Sequence, residues 1–288
     1  MTFDDLANYL LKPPGEGIWA WSAGTGAAAA LQKSHFTAVT GKASLKPDEI
    51  LKLWKRSFQK LTKAKVAIIG VPSDTGAGIR KGAGYGPRGV REALLKMPRY
   101  RKLLKSGRVI DLGDIFCNPH LLYDEMLNQT QIQRCQDEMY AEASESHRRE
   151  LKVSPLSQLK QLLESLTLKY PSLRIFVIGG DHSIAWPITQ VFANKFKKNL
   201  AIVQPDAHTD FLPSRLGVEY CFGTWSFHAA KLLESNSGSK GRMVQLGIRQ
   251  TRATKDYWEA NFPVRQYWPD EVKKRGTKKT VEEIVENL

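Results

Sequence analysis

The sequence lacks the features of a membrane or secreted protein. No stretch approaches the roughly 20 continuous apolar residues that a membrane-spanning helix needs, so we expect no membrane partner. The N-terminal residues are acidic where a secretory signal would be basic, and no small-residue cleavage site follows an apolar core. The three cysteines, Cys117, Cys135 and Cys221, are an odd number at unrelated spacings. We therefore expect free thiols in a reducing compartment and predict a cytoplasmic location.

The sequence also lacks a nucleic-acid recognition pattern, although it is basic. Its formal net charge is +14, which fits a nucleic-acid partner, an acidic partner or a solvated lysine-rich surface. The lysines and arginines are spread along the chain and are not interleaved with aromatic residues. We therefore expect a solvated surface and no nucleic-acid partner. A steep salt dependence of binding would reveal such a partner.

Short apolar runs separated by helical segments begin at Lys65. Runs that are apolar on nearly every position are typical of strands buried on both faces of a parallel sheet. We predict strands in one mainly parallel sheet near 66–71, 108–112, 175–178, 200–203 and 243–248. Gly86-Pro87 and Ser154-Pro155 are helix start signals, because proline is favourable in a first turn and serine as a cap. Strands that alternate with helices predict an α/β fold with helices on both faces.

The first 64 residues are predicted to be an N-terminal extension of a domain at 65–288. They contain a small-residue tract at 23–30 and an amphipathic run at 47–61. The small-residue tract follows no predicted strand and lacks the Lys-Ser/Thr pair of a phosphate-binding loop, so we interpret it as a linker. With 288 residues, of which 42% are hydrophobic, the chain is long enough for one large α/β domain or two smaller ones.

Polar clusters follow two of the predicted strands, at the point where each strand ends. The candidate ligands are Asp181, His182, Asp206, His208 and Asp210. Ligand sites form at the carboxyl ends of strands in an open parallel sheet. In an extended backbone, residues 206, 208 and 210 would project to one side. A mixed set of carboxylates and imidazoles suits Mn²⁺, Zn²⁺ or Fe²⁺, whereas a closed zinc site would use thiolates.

The cluster at 206–210 also has an interpretation that involves no metal. Asp206 and Asp210 would then cap the following helix, and His208 would be a loop histidine with satisfied hydrogen bonds. Asp181-His182 after the neighbouring strand favours the metal site over this alternative.

At these residues the sequence resembles the ureohydrolases, the arginase and agmatinase family. Gly-Gly-Asp-His-Ser at 179–183 and Asp-Ala-His-Thr-Asp at 206–210 resemble two of the three signature motifs of that family. Further similar segments are 71–76 and 86–91, which resemble its glycine-rich segment, and 111–114 and 245–249, which resemble later strands. The resemblance covers about residues 65–269.

The resemblance implies a three-layer α/β/α fold, a small guanidino substrate and a pair of Mn²⁺ ions bridged by a hydroxide. Carried over from the motifs, His182 and Asp210 would bind one ion and His208 the other. Asp206 would bridge both ions, and Asp181 and Ser183 would support or pack against a ligand. The implied reaction gives urea and an amine, because metal ions lower the pKa of bound water and deliver hydroxide to a poorly electrophilic guanidinium carbon. We also allow for a homo-oligomer.

Two departures from the family pattern are visible. Many members have a histidine before a Gly-Thr pair after the second motif, where it can shuttle protons, and here that position is Phe222. His228 could replace it, but packing on the helix that starts at Trp225 is the favoured interpretation, so no catalytic residue is assigned. The third motif, Asp-x-Asp, does not occur after Asp210. We therefore expect a ureohydrolase that is shortened at its C-terminus, lacks its C-terminal strands and binds one Mn²⁺ ion or fewer.

The prediction for function is an Mn²⁺-dependent amidinohydrolase of the agmatinase or arginase type, impaired in this chain. The alternative is a non-catalytic protein of the ureohydrolase fold that acts as a scaffold or regulator. Phe222 and the absent third motif favour that alternative. A metal-dependent deacetylase of the same broad fold is a third hypothesis, against which the Gly-Gly-Asp-His-Ser motif argues. Substrate-binding residues are not assigned.

Overall fold

Two compact units, Met1–Ile184 and Ala185–Leu288, make up the computed structural model of this chain. The structure describes residues 1–18, 25–238 and 242–288. The strands are β1 (Leu11–Lys12), β2 (Val66–Val71), β3 (Val109–Ile115), β4 (Arg174–Gly179), β5 (Ile202–Pro205), β6 (Met243–Leu246) and β7 (Val264–Tyr267). The α-helices are α1 (Phe3–Leu10), α2 (Thr25–Thr40), α3 (Pro47–Ser57), α4 (Gly86–Leu95), α5 (Pro98–Lys105), α6 (Gln129–Met139), α7 (Glu145–Glu150), α8 (Pro155–Lys169), α9 (Ala185–Phe196), α10 (Trp225–Ser237), α11 (Lys255–Asn261), α12 (Pro269–Arg275) and α13 (Thr277–Glu286). Short 3-10 helices lie at Phe58–Lys60, Thr75–Ala77, Ala83–Tyr85, Asp124–Met126, His182–Ile184 and Lys197–Asn199.

The first unit is built on a four-stranded sheet in the order β1-β3-β2-β4. β2 pairs in parallel with β3 and β4, and the two-residue β1 pairs antiparallel with β3. Ile68 of β2 packs with Leu31 of α2 and Leu104 of α5. α8 contacts β3 and packs along α1. The buried leucines of α8 recur three or four residues apart, as expected for a helix with one face in a core.

A buried ion cluster joins α4 to β3 in the same unit. Arg91 donates from Nε to Asp111 at 2.7 Å and from Nη1 to Asp114. The three side chains are at most 2% exposed. Burial opposes ionisation of Asp111, but the Arg91 charge and hydrogen bonds bring the pKa of that carboxyl below its usual value. The pKa of Asp114 is raised, because burial outweighs the attraction of Arg91 there.

The second unit is built on a parallel three-stranded sheet in the order β5-β6-β7. Successive residues of β6 face opposite sides. Met243 packs with Trp225 and Leu233 of α10, whereas Val244 packs with Ile284 of α13. Helices therefore cover both faces of this sheet, which gives the layered α/β/α arrangement that the sequence predicts.

The interpretation of the tract at 23–30 as a linker is wrong for residues 25–30, which form the start of α2. Residues 27–30 are four alanines, and alanine has the highest intrinsic helix propensity. Ala23 and Gly24 lie outside the described residues. The amphipathic run at 47–61 is confirmed as α3 and the following 3-10 helix. The domain boundary at residue 64 stays a prediction.

The five predicted strands are confirmed as β2 to β6, but they belong to two sheets and not to one. Apolar runs identify strands without specifying their pairing partners. β1 and β7 were missed, because β1 is two residues long and β7 contains Arg265 and Gln266 within a short run. The three cysteines are free, as expected. Among the described residues, no helix is both long enough and apolar enough to cross a membrane.

Candidate metal centre

The segment that carries Asp206, His208 and Asp210 follows β5 at the carboxyl edge of the second sheet. The backbone N–H of Asp206 donates to Leu246 O at 2.9 Å. The backbone N–H groups of Arg249 and Gln250 donate to Ala207 O at 3.0 and 2.9 Å. Residues 206 and 207 are therefore hydrogen-bonded to β6 and to the residues that follow β6.

Asp206 and His208 lie close together, as the sequence predicts. Asp206 Oδ1 accepts a hydrogen bond from the His208 backbone N–H at 2.9 Å and lies 3.6 Å from His208 Nδ1. The Asp206 side chain is 14% exposed and the His208 side chain is 63% exposed. A carboxylate with restricted solvent access and an accessible imidazole thus share one side of the segment.

Asp210 departs from the extended backbone that the sequence predicts. Its φ of 51° lies in the left-handed region, which aspartate tolerates better than most residues. The Asp206 side chain bonds the backbone two residues on, a local turn that bends the chain out of a strand. The prediction that residues 206, 208 and 210 project to one side of an extended backbone is therefore wrong.

Thr224 occupies the N-cap position of α10, so neither Asp206 nor Asp210 is the N-cap residue of that helix. The carbonyl oxygen of Asp210 accepts a hydrogen bond from the Phe227 backbone N–H at 3.3 Å. Asp210 Oδ2 accepts from the Trp225 indole Nε1 at 3.0 Å. This bond orients the carboxylate from the first residue of α10.

His182 is the first residue of the 3-10 helix that follows β4, at the carboxyl edge of the first sheet. Its convergence with the three candidate ligands of the second unit stays a prediction. Gly180 is required just before it, because a Cβ there would lie 1.8 Å from the carbonyl oxygen of Ser73. The backbone therefore turns towards His182 at a position that only glycine can occupy.

Asp181 and Ser183 point into the first unit beside the glycine-rich segment. A Cβ on Gly76 would lie 3.0 Å from Asp181 Oδ1 and 2.9 Å from Ser183 Oγ. Asp181 Oδ1 also accepts from the Ser183 backbone N–H at 2.8 Å. Burial raises the pKa of Asp181 above its usual value. These contacts fit the expectation that both side chains support the segment that carries His182.

Phe222 and His228 both contact neighbouring side chains of the second unit. The Arg215 guanidinium lies 4.6 Å from the centre of the Phe222 ring. The His228 ring lies 5.0 Å from Tyr220 and 5.5 Å from Trp186, and its Nε2 is 3.1 Å from the carbonyl oxygen of Glu219. His228 thus packs in an aromatic cluster, which was the favoured interpretation, and no shuttle role is assigned to it.

The sequence interpretation missed Gln204, a buried residue of β5. Its Nε2 donates to Asp206 Oδ2 at 2.9 Å, so both carboxylate oxygens of Asp206 accept hydrogen bonds from neighbours in the chain. An amide in an otherwise apolar strand was the available signal, because a buried amide needs polar partners. The donor set of two carboxylates and an imidazole, with Asp206 held from two sides, fits an Mn²⁺-type ion.

The candidate ligands lie in a part of the chain that is similar to known proteins. A model described as the arginase family matches residues 64–288. A protein of Homo sapiens named guanidino acid hydrolase, mitochondrial, is 30% identical over 203 residues, which are 68% of this chain and 47% of that protein. A protein of Gallus gallus named agmatinase, mitochondrial, is 28% identical over 214 residues, which are 70% of this chain and 52% of that protein. The chain thus spans about half the length of these curated relatives.

The fold is also similar to that of solved structures. The structure of formiminoglutamase with Mn²⁺ from Trypanosoma cruzi superposes with a TM-score of 0.54 at 21% sequence identity. The superposition covers 78% of this chain and 67% of that chain. This similarity supports the fold assignment.

Proposed function

The chain belongs to the arginase family, and we propose on that basis that it is an amidinohydrolase. The proposed reaction cleaves a C–N bond of a small guanidino compound and releases urea and an amine. The observation that carries the proposal is the Asp206–His208 pair at the carboxyl end of β5, inside the matched region. It supplies oxygen and nitrogen ligands at the sheet edge where parallel folds form their sites.

We propose that Mn²⁺ is the cofactor and that His182, Asp206, His208 and Asp210 hold it. When bound, the metal lowers the pKa of water and so supplies a nucleophile at neutral pH. Gln204 and the His208 backbone orient the carboxylate of Asp206. The Trp225 indole orients Asp210. These bonds hold two ligands in position, which reduces the reorganisation that metal binding requires.

The proposed stoichiometry is one Mn²⁺ ion or fewer. The four residues proposed above are the ligands predicted for it. The expected impairment of this chain stays a prediction.

The proposed substrate is a small guanidino compound. Two relatives are named guanidino acid hydrolase and agmatinase, which supports this substrate class. The cytoplasmic location stays a prediction from the free cysteines, since both relatives are named mitochondrial. The homo-oligomer stays a prediction as well.

A non-catalytic scaffold or regulator of the same fold is the second candidate function. The observation that favours it is Phe222, which packs against Arg215 at the position where many family members have a proton-shuttling histidine. A scaffold would keep the fold without releasing urea.

The deciding experiment measures urea release from agmatine, arginine and shorter guanidino acids in excess Mn²⁺. Because impairment is predicted, we expect at most slow Mn²⁺-dependent release, and any such release should be lost in His208→Ala, since that substitution removes an imidazole ligand. The matched control is His120→Ala, which removes an exposed histidine of the first unit and should leave the rate unchanged.

The outcomes separate the two candidate functions. Release that is equal in wild type and His208→Ala would contradict the proposed site. Absence of release with every substrate, together with Mn²⁺ binding that Asp206→Asn abolishes, would contradict the enzyme and support the scaffold.

A further inference from the structure

Three buried glutamines lie side by side across the second sheet. Gln204 of β5 is in register with Gln245 of β6, which is in register with Gln266 of β7. Their exposed fractions are 3%, 0% and 0%. Burying an amide costs free energy unless its donors and acceptor find partners. A row of three buried amides therefore requires a network of partners.

The side chains form one continuous chain of hydrogen bonds that ends on Asp206. Trp268 Nε1 donates to Gln266 Oε1 at 2.9 Å, and Gln266 Nε2 donates to Gln245 Oε1 at 2.8 Å. Gln245 Nε2 donates to Gln204 Oε1 at 2.9 Å, and Gln204 Nε2 donates to Asp206 Oδ2 at 2.9 Å. We call Trp268, Gln266, Gln245 and Gln204 the glutamine chain.

The direction of the glutamine chain is determined by groups that have a single hydrogen-bonding role. An indole N–H only donates, so Trp268 requires the oxygen of Gln266 to face it. A backbone carbonyl only accepts, so Thr209 O, at 2.6 Å, requires the nitrogen of Gln245. Both carboxylate oxygens of Asp206 accept as well. A reversed orientation of the amides would place a donor against the Trp268 N–H and acceptors against Thr209 O and Asp206 Oδ2.

The glutamine chain contacts the predicted metal segment at two points. Gln204 bonds the Asp206 side chain, and Gln245 bonds the backbone carbonyl of Thr209, which lies between His208 and Asp210. Ser226 Oγ of α10 donates to Gln204 Oε1 at 2.9 Å, which holds this amide from the helix side as well. Bonds that run in one direction polarise one another and strengthen the last donor.

We propose that the glutamine chain positions the metal ligands, an inference that rests on the proposed function. It orients one oxygen of Asp206 and holds the segment 206–210 against the sheet. Its members act through Asp206 and Thr209 and are positioning residues. The hydrogen-bond partners of metal ligands typically change metal affinity by about 10- to 100-fold when they are removed. Loss of the glutamine chain should therefore weaken Mn²⁺ binding.

The test measures the Mn²⁺ dissociation constant of the full chain from the electron paramagnetic resonance signal of free Mn²⁺. Gln204→Met keeps a side chain of similar length and removes the donor to Asp206, and we expect about tenfold weaker binding. Trp268→Phe removes only the distant donor, and we expect at least about twofold weaker binding. The control is Gln133→Met, at an exposed glutamine of α6 in the first unit, which should bind Mn²⁺ as wild type does.

The melting temperature of each metal-free variant is measured alongside, because a purely structural role would lower it without changing the affinity of folded protein. If both Gln204→Met and Trp268→Phe bound Mn²⁺ with wild-type affinity, the positioning role of the glutamine chain would be contradicted. The proposed function would be unaffected. Should Gln204→Met fail to fold, Trp268→Phe decides alone, since Phe keeps most of the apolar surface. Failure of the wild type to bind Mn²⁺ would overturn both the proposed metal site and this inference.

Discussion

Replacing Arg91 with methionine should severely destabilise the first unit. The side chain is 1% exposed and is paired with Asp111 and Asp114, which are also buried. Methionine fills much of the space but leaves two carboxyls in the core without their counter-charge. Arg91 also donates to the carbonyl oxygen of Gly113 at 2.9 Å, so a backbone acceptor loses its partner too.

The size of this loss of stability follows from the burial of all three charged side chains. Removing one partner of a buried ion pair costs about 3–5 kcal/mol, because the remaining charge is left uncompensated. For a unit of this size, such a loss lowers the melting temperature by on the order of 10 °C. Neutralising the carboxyls with Asp111→Asn and Asp114→Asn in the same chain should restore part of the loss, because the uncompensated charge is then absent.

The assay is thermal and urea denaturation followed by circular dichroism. The matched control is Arg88→Met on the same helix, whose partner Glu92 lies 3.7 Å away in an exposed pair. That substitution should cost less than about 1 kcal/mol. If Arg91→Met and Arg88→Met had the same small effect, the reasoning about the buried cluster would be refuted.

Three further outcomes test other parts of the molecule. Gly180→Ala should destabilise the chain by about 3 kcal/mol or more, because its Cβ would lie 1.8 Å from a backbone carbonyl oxygen. Gly26→Ala, with open space around it in α2, should instead stabilise the chain by about 0.5–1 kcal/mol, and thermal denaturation compares the two. Burial opposes ionisation of Glu271, but Lys255 at 2.8 Å holds its pKa below the ordinary value of 4.5. The resulting stabilisation is fully present above pH 4.5 and is lost as the pH falls through the lowered pKa. Denaturation of Glu271→Gln and wild type across this range should show their difference in stability vanish at the acid end. Elemental analysis after Mn²⁺ loading should give about one equivalent or less, falling sharply in Asp206→Asn, and two tight equivalents would contradict the ligand count.

The strands were predictable where burial leaves a strong pattern. Val66–Val71 is apolar at every position and forms the central strand β2. β7 was not predictable in this way, because Arg265 and Gln266 interrupt its apolar pattern. The division into two sheets depends on long-range pairing, which local periodicity does not encode.

The candidate site was predictable in its residues and less so in its geometry. Asp206 and His208 follow an apolar run, and that position at a strand end selected them together with Asp181-His182 after the neighbouring strand. The backbone of Asp210 is left-handed, and the Asp206 side chain bonds the backbone N–H of His208, so the extended-strand argument failed. Gln204 and Gln245 are unremarkable as isolated residues, since their role depends on a register that exists only after β5 and β6 have paired.

The packing of α1 against α8 has a consequence for folding during synthesis. α1 buries Phe3, Leu6 and Leu10, and its partner helix ends at Lys169, whose ammonium bonds Asp4 at 2.6 Å. At a translation rate of about 5–20 residues per second, α1 leaves the ribosome roughly 10–30 seconds before α8 is complete. During that interval its apolar face has no native partner. We therefore expect chaperones that recognise short apolar segments to contact α1 on the nascent chain before α8 has been synthesised.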